Sequence, residues 1–90
     1  MYTIVLALKG KEAMILLMDE EICVTKNDWT EKNDLLEQFF DRLDQVLAEK
    51  DLRVEDISEF SFEMKGPVGY TTARIAQTII ETLNFAATKR

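Results

Sequence analysis

The spacing of apolar residues changes along the chain, and this change constrains the fold more than any other feature. Three short segments near the start are almost wholly apolar or β-branched: Tyr2–Leu8, Ala13–Met18 and Ile22–Lys26. The breaks between them read Lys-Gly-Lys and Asp-Glu-Glu, which are typical of tight turns. Ala13–Met18 is rich in helix formers, but its short length between turns favours a strand. The pattern therefore predicts an antiparallel meander of three strands.

The next part of the chain has helical spacing. From Leu35 to Leu47, apolar residues recur at intervals of one, three and four, as on an amphipathic helix that ends near Glu49. We interpret Asn27–Trp29 as a loop, in which Trp29 fixes the position where the chain joins the core. Thr30 is the predicted N-cap of the helix.

The last third of the chain contains a strand, a turn and a second helix. Ile57–Met64 alternates with period two, so we expect Phe60, Phe62 and Met64 to face inward. A glycine- and proline-containing turn follows, and Tyr70–Phe85 again has helical spacing. The order β-β-β-α-β-α predicts an α/β fold with one mixed sheet, in which a parallel strand is reached through the first helix.

Composition restricts the chemistry that this chain can perform. It has no histidine, which excludes histidine-dependent catalytic relays and histidine metal ligands. The single cysteine, Cys23, cannot form an internal disulfide, and we expect it to be a small apolar filler in a reducing compartment. The net charge of −6 disfavours direct nucleic-acid binding. No apolar run approaches the ~18 residues of a membrane span, so we expect no membrane contact. From the composition as a whole, we expect a cytoplasmic protein without catalytic residues or cofactors.

Two polar features permit a ligand site, and each has a structural alternative. Asp41, Asp44 and either Asp34 or Glu37 of the first helix share one face and could collect a cation, but this is the expected solvated face and we predict no metal site. The Gly66–Thr71 turn precedes a helix and could cradle a phosphate, but it lacks the Lys-Ser/Thr pair of a P-loop. A purely structural corner is the favoured interpretation, and we expect Arg74 to be solvated or paired with the acidic first helix.

The helices carry two patterns that bear on association. Small residues cluster on the second helix at Thr72, Ala73, Ala76 and Thr78, where another helix could approach closely. The first helix has the doublets Leu35-Leu36 and Phe39-Phe40, which are wider than a single stripe requires. Such doublets indicate either one broad core face or a helix that contacts the sheet and a partner helix together. The sequence pattern leaves both alternatives open.

One segment resembles the hallmark of a known family. Lys65–Ala76 reads KGPVGYTTARIA and resembles GPGSFTGLRIG of the TsaB (YeaZ) proteins. The preceding elements are also similar, including the first strand, the first helix and the short Val54–Ile57 segment before the fourth strand. The resemblance covers nearly the whole chain. The matching hallmark positions are Gly66, Pro67, Tyr70, Thr71, Arg74 and Ile75.

The resemblance implies an actin-like/ribonuclease-H-like (ASKHA) fold, with residues 1–90 forming a single N-terminal lobe. TsaB proteins are non-catalytic partners of TsaD, which acts with TsaB, TsaE and ATP to form threonylcarbamoyladenosine (t6A) in tRNAs. They also self-associate, and both partnerships use the helices of the N-terminal lobe. The resemblance thus implies a homodimer, a TsaD-like partner and a TsaE-containing complex. The interface residues that it implies are Leu35, Leu36, Phe39, Phe40, Leu43, Tyr70, Thr72, Ala73, Ala76 and Ile80.

The sequence also departs from the family pattern. Lys9-Gly10-Lys11 stands where the family has Asp-Thr-Ser, so the acidic residue that related ATPases place near their metal is missing. Val68–Thr72 replaces the Gly-Ser-Phe-Thr-Gly centre of the hallmark. The family continues into a second lobe, whereas this chain stops after the second helix. Two alternatives to a TsaB-like scaffold therefore remain: a residual nucleotide- or phosphate-binding lobe of an actin-like ATPase, and a freestanding dimeric regulator outside the tRNA pathway.

Overall fold

A four-stranded mixed sheet and two helices make up residues 1–88, the part of the chain that the computed structural model describes. The two helices are joined to the sheet by short loops, and a single 3₁₀ turn at Val54–Asp56 precedes the last strand. The elements are β1 (Tyr2–Lys9), β2 (Glu12–Asp19), β3 (Ile22–Thr30), α1 (Leu35–Glu49), β4 (Ile57–Lys65) and α2 (Tyr70–Thr88). The predicted order β-β-β-α-β-α is confirmed.

The strands lie in the order β3-β2-β1-β4. β1 pairs antiparallel with β2, and β2 pairs antiparallel with β3, as the predicted meander requires. The β1–β2 turn contains Gly10 at φ +59°, a left-handed conformation that favours glycine. β4 joins the other side of β1 in parallel, so the chain crosses the sheet through α1. This is the predicted mixed sheet.

Both helices pack on the same face of the sheet. Strand side chains alternate between the two faces, and every second residue of β1 and β2 is buried beneath the helices. α1 contributes Phe39 and Leu43 to this core, and α2 contributes Ala76, Ile79 and Ile80. The buried strand residues are Ile4, Leu6, Leu8, Ala13, Ile15, Leu17, Trp29, Ile57 and Phe60.

The predicted start of the first helix is wrong. Asn27–Trp29 is not a loop but the end of β3, where these residues pair with Ile15, Met14 and Ala13 of β2. Trp29 is buried there because β3 follows β2 along its whole length. The chain then turns at Asn33, which has φ +65°, and the N-cap of α1 is Asp34 rather than Thr30.

The edge strands are less covered than the sequence pattern predicts. On β4, Phe60 is buried and Phe62 half-buried, but Met64 is exposed. Met64 lies on the inward face as expected but stays half exposed, because β4 is an outer strand with a neighbour on only one side. Cys23 lies on the opposite outer strand, β3, and is exposed, so its predicted role as a buried filler is wrong.

The side chain of Asn84 fastens α2 to the outer edge of β4. Its Oδ1 accepts a hydrogen bond from the Phe60 N–H at 2.8 Å. Its Nδ2 donates to the Phe60 carbonyl oxygen at 2.7 Å. One side chain thus satisfies both backbone groups of an edge residue that would otherwise be open to another strand. Neither α1 nor the described part of α2 is long and apolar enough to cross a membrane.

Candidate interaction surface

A groove runs along the outside of the molecule where α1 and α2 lie side by side. It encloses about 400 Å³. Leu36 is 52% exposed and Ile75 is 38% exposed, although both are large and apolar. Phe40 lies one turn after Leu36 on α1 and is 41% exposed. The lining residues are Leu36, Tyr70, Thr71, Arg74, Ile75, Thr78 and Ile79. The groove is therefore an apolar surface that the chain itself leaves largely uncovered.

In each of the two doublets of α1, the first residue faces the core and the second faces the solvent. Leu35 and Phe39 are buried against the sheet, whereas Leu36 and Phe40 lie a further 100° around the helix and face the solvent. Consequently α1 has both a core face and a second apolar face. The sequence pattern left these alternatives open, and the structure shows that the doublets are not one broad core face.

Half of the residues implied as an interface lie in the chain's own core. Because the sheet covers them, they cannot contribute to a surface without local unfolding, and their assignment to one is corrected accordingly. Thr72 and Ala73 are half-buried, and Leu36, Phe40 and Tyr70 are exposed. The buried members are Leu35, Phe39, Leu43, Ala76 and Ile80. A partner interface on the exposed members stays a prediction.

Arg74 and Tyr70 form a polar border along the groove. The Arg74 Nη1 donates a hydrogen bond to the Tyr70 hydroxyl at 3.0 Å. The guanidinium also lies 5.6 Å from the centre of the Tyr70 ring, within cation–π range. The alternative of an ion pair with α1 is wrong, because the ion pairs found within residues 1–88 involve only the Met1 amino group.

The Gly66–Thr71 corner brings a carboxylate close to the first turn of α2. Gly66 has φ +68°, and Val68 packs against the core. The Glu31 carboxylate accepts hydrogen bonds from the Asp34 N–H at 2.9 Å and the Thr72 hydroxyl at 3.4 Å. Negative charge is favourable at a helix N-terminus, and here Glu31 supplies it to α1 and borders α2. A bound phosphate at this corner would meet like charge, which weighs against the phosphate-binding alternative.

The acidic face of α1 does not form a ligand cluster. Glu37, Asp41 and Asp44 are all exposed along the helix. Across residues 1–88, no group of three or more Asp, Glu or Cys side chains lies close enough to hold a metal ion.

A polar seam between β3 and α1 was missed from the sequence. Arg42 Nη1 donates to Asn27 Oδ1 at 2.8 Å, and Arg42 Nε donates to Gln38 Oε1 at 3.2 Å. The Arg42 guanidinium lies 5.3 Å from the centre of the Trp29 ring. Asn27 Nδ2 also donates to Gln45 Oε1 at 3.1 Å. The sequence signal for this contact was the spacing of two between Asn27 and Trp29, because residues two apart on a strand lie on the same face, here the one that the helices cover. β3 therefore covers this side of α1, and the exposed apolar residues of α1 lie on its other side, at the groove.

Comparison with known proteins identifies the fold. No family profile and no curated protein matches the chain by sequence. The structure is similar to YeaZ from Pseudomonas aeruginosa, with a TM-score of 0.81 and 17% identity over 97% of this chain and 40% of that one. It is also similar to an uncharacterised protein from Pseudomonas aeruginosa described as similar to peptidase YeaZ, with a TM-score of 0.82 and 17% identity over 97% of this chain and 39% of that one.

The chain thus has the fold of part of YeaZ, and the predicted actin-like/ribonuclease-H-like class is confirmed. It spans about two fifths of the length of these solved proteins.

Proposed function

We propose that this chain is a TsaB-like, non-catalytic scaffold that associates through the groove between α1 and α2. The partner is a second copy or a TsaD-like enzyme, within a pathway that forms t6A in tRNA. The observation that carries the proposal is the pair of exposed apolar residues on adjacent helices, Leu36 and Ile75, with Phe40 extending the stripe.

The shape of the groove suits a partner helix. Thr71 and Thr78 are small residues on either side of Ile75, and they allow a helix to approach to about 8–10 Å between axes. Complete burial of a large apolar side chain stabilises by about 1.5–3 kcal/mol, so the exposed portions of Leu36, Phe40 and Ile75 would each contribute about 1 kcal/mol. A partner buries its own apolar side chains against them at the same time, and Tyr70 and Arg74 border this contact with polar groups.

The position of the hallmark-like segment supports the same surface. Four of its six matching residues line the groove: Tyr70, Thr71, Arg74 and Ile75. Gly66 and Pro67 form the turn that sets the start of α2. The resemblance between the segment and the TsaB hallmark therefore concerns residues that surround the proposed binding surface.

Calorimetry with the TsaD-like enzyme of the same organism tests this proposal. We expect binding at micromolar concentrations, and at least about tenfold weaker binding for Leu36→Lys and for Ile75→Lys. Gln77→Lys adds the same charge on the outer side of α2, away from Ile75, and serves as the matched control. No heat of binding by the unmodified chain, or equal binding by all three variants, would contradict the groove assignment.

A genetic experiment separates the scaffold from a freestanding regulator. Expression of the chain in a strain that lacks TsaB should restore t6A, measured by mass spectrometry of tRNA nucleosides. Leu36→Lys should fail to restore it, whereas Gln77→Lys should succeed. Micromolar self-association without any recovery of t6A would instead favour the regulator outside the tRNA pathway.

A further inference from the structure

The face of the sheet opposite the helices is uncovered and apolar at its centre. Its central residues alternate with the buried residues of β1 and β2 and are all half-buried. A shallow depression of about 430 Å³ lies over Ala7, the smallest of them. We call these residues the open-face strip: Val5, Ala7, Met14, Leu16 and Met18.

Strand register places charged residues along both borders of this strip. Cross-strand pairing arranges the open face in four rows, each running from β3 through β2 and β1 to β4. The rows are Thr30–Glu12–Lys9–Lys65, Asp28–Met14–Ala7–Glu63, Lys26–Leu16–Val5–Ser61 and Cys23–Met18–Thr3–Glu59. The two middle rows therefore end on β3 with opposite charges, Asp28 and Lys26.

We propose that a second copy of this chain packs its open face against this one, forming a two-fold symmetric sheet sandwich. In the aligned mode of sheet packing, which a sandwich of this kind adopts, the strands of the two sheets stay within about 30° of each other. The two-fold axis must then run along the strands or across them. An axis along the strands places each row over the same row of the second copy, with β3 of one copy over β4 of the other. An axis across the strands places each strand over the same strand of the second copy, with the order of the rows reversed.

The charges distinguish these two arrangements. With the axis along the strands, Asp28 faces Glu63 of the second copy, which places like charges together twice by symmetry and offsets the opposite pair that Glu12 then forms with Lys9 of the second copy. With the axis across the strands, Asp28 faces Lys26 of the second copy, and Lys65 faces its Glu59. Each of these opposite pairs also occurs twice. Charge complementarity therefore selects the axis across the strands.

The same arrangement matches the apolar centre. Val5 of the second copy lies over Ala7, so the larger side chain enters the depression that the smaller one leaves. Met14 lies over Leu16 of the second copy, which buries two long side chains against each other. The apolar strip is then covered on both copies. Asp28, Lys26, Lys65 and Glu59 on its borders face opposite charges, whereas Glu63 faces Ser61 of the second copy.

The area of the face sets the expected strength. Four strands about 4.8 Å apart and eight residues long at about 3.3 Å per residue give a face of roughly 500 Å². Two such faces bury on the order of 1,000 Å², the lower limit for a specific interface. We therefore expect a dimer that dissociates in the micromolar range.

Sedimentation velocity over a series of concentrations tests the sandwich, with charge reversal as the perturbation. Lys26→Glu and Asp28→Lys each oppose like charges, and each should weaken dimerisation at least about tenfold. The double variant restores the opposite pair and should recover the original dissociation constant. Circular dichroism checks that each variant is folded. A chain that stays monomeric at about 100 µM, or a double variant no better than the singles, would overturn the proposal.

Variants of the groove distinguish this inference from the proposed function. Leu36→Lys should leave a sheet-mediated dimer intact, while Lys26→Glu should leave binding of a TsaD-like enzyme intact. Loss of the dimer in Leu36→Lys, together with full dimerisation of Lys26→Glu, would assign self-association to the groove and overturn the sandwich. Loss of enzyme binding in Lys26→Glu would instead contradict the proposed function.

Discussion

The two hydrogen bonds between Asn84 and the backbone of Phe60 tie the second helix to the edge of the sheet. We expect Asn84→Ala to destabilise the chain because both bonds are lost. Each bond contributes about 0.5–1.5 kcal/mol, which gives a loss of about 1–3 kcal/mol. Alanine is the better helix former by about 0.5 kcal/mol, so the net loss in free energy of unfolding is about 0.5–2.5 kcal/mol.

Asn84→Asp separates the two bonds. A carboxylate still accepts from the Phe60 N–H, but it cannot donate to the Phe60 carbonyl oxygen and repels it. Repulsion from the Phe60 carbonyl oxygen and from the negative C-terminal end of α2 disfavours the charged form, which raises the pKa of the introduced carboxyl in the folded chain. The destabilisation is then fully present above this raised pKa and disappears as the pH falls through it, because the protonated carboxyl can donate again. At neutral pH, Asn84→Asp should be less stable than Asn84→Ala.

Urea unfolding followed by circular dichroism at low protein concentration measures these differences. With an m-value of about 1 kcal/mol/M, Asn84→Ala should lower the midpoint by roughly 0.5–2.5 M. Thr82→Ala changes an exposed position of the same helix with a similar gain in helix propensity, and it should leave the midpoint unchanged or slightly raised. Equal midpoints for Asn84→Ala and the unmodified chain would refute the reasoning and show that water replaces the side chain without cost.

Three further expectations concern the core and the seam, each measured by urea unfolding. Ala76→Glu places a carboxylate at a position with 0% exposure and should abolish the folded state, whereas Ala73→Glu, at a half-buried position, should still fold. A folded Ala76→Glu variant would contradict the helix face assigned to the core. Phe39→Ala should cost about 3–5 kcal/mol but Phe40→Ala at most about 1 kcal/mol, and equal costs would contradict the division of the doublet. Arg42→Ala should cost about 1–2 kcal/mol, and an unchanged midpoint would show that the seam with β3 adds nothing.

The order of elements was predictable because the apolar spacing is unambiguous where an element has one buried face. β1 and β2 are short apolar runs between turns, and α1 shows a clear helical stripe. The end of β3 was not predictable in this way, because Asn27 and Asp28 disfavour strands by propensity. Pairing with β2, the hydrogen bond that Arg42 donates to Asn27 and the one that Asn27 donates to Gln45 override that preference, and these contacts depend on residues far away in sequence.

The groove was only partly predictable for a related reason. The doublets showed that α1 has excess apolar surface, but spacing alone does not show which member of each doublet the sheet covers. The small residues of α2 were ambiguous as well. A small side chain such as that of Ala76 allows α2 to pack closely against the chain's own core as readily as against a partner helix. The open face of the sheet was not predictable, since near-continuous apolar runs such as those of β1 and β2 are typical of strands buried on both faces.

The seam over Trp29 gives the chain a built-in optical probe. This is the single tryptophan of the sequence, and its indole Nε1 is buried without a hydrogen-bond partner in the described part of the chain. An indole shielded from water emits at shorter wavelength than a hydrated one, so opening of the β3–α1 seam should shift its emission to the red. The ring lies neither in the groove nor on the open face. Its fluorescence should therefore follow the integrity of the fold while staying constant during association, which allows folding and assembly to be recorded separately in one sample.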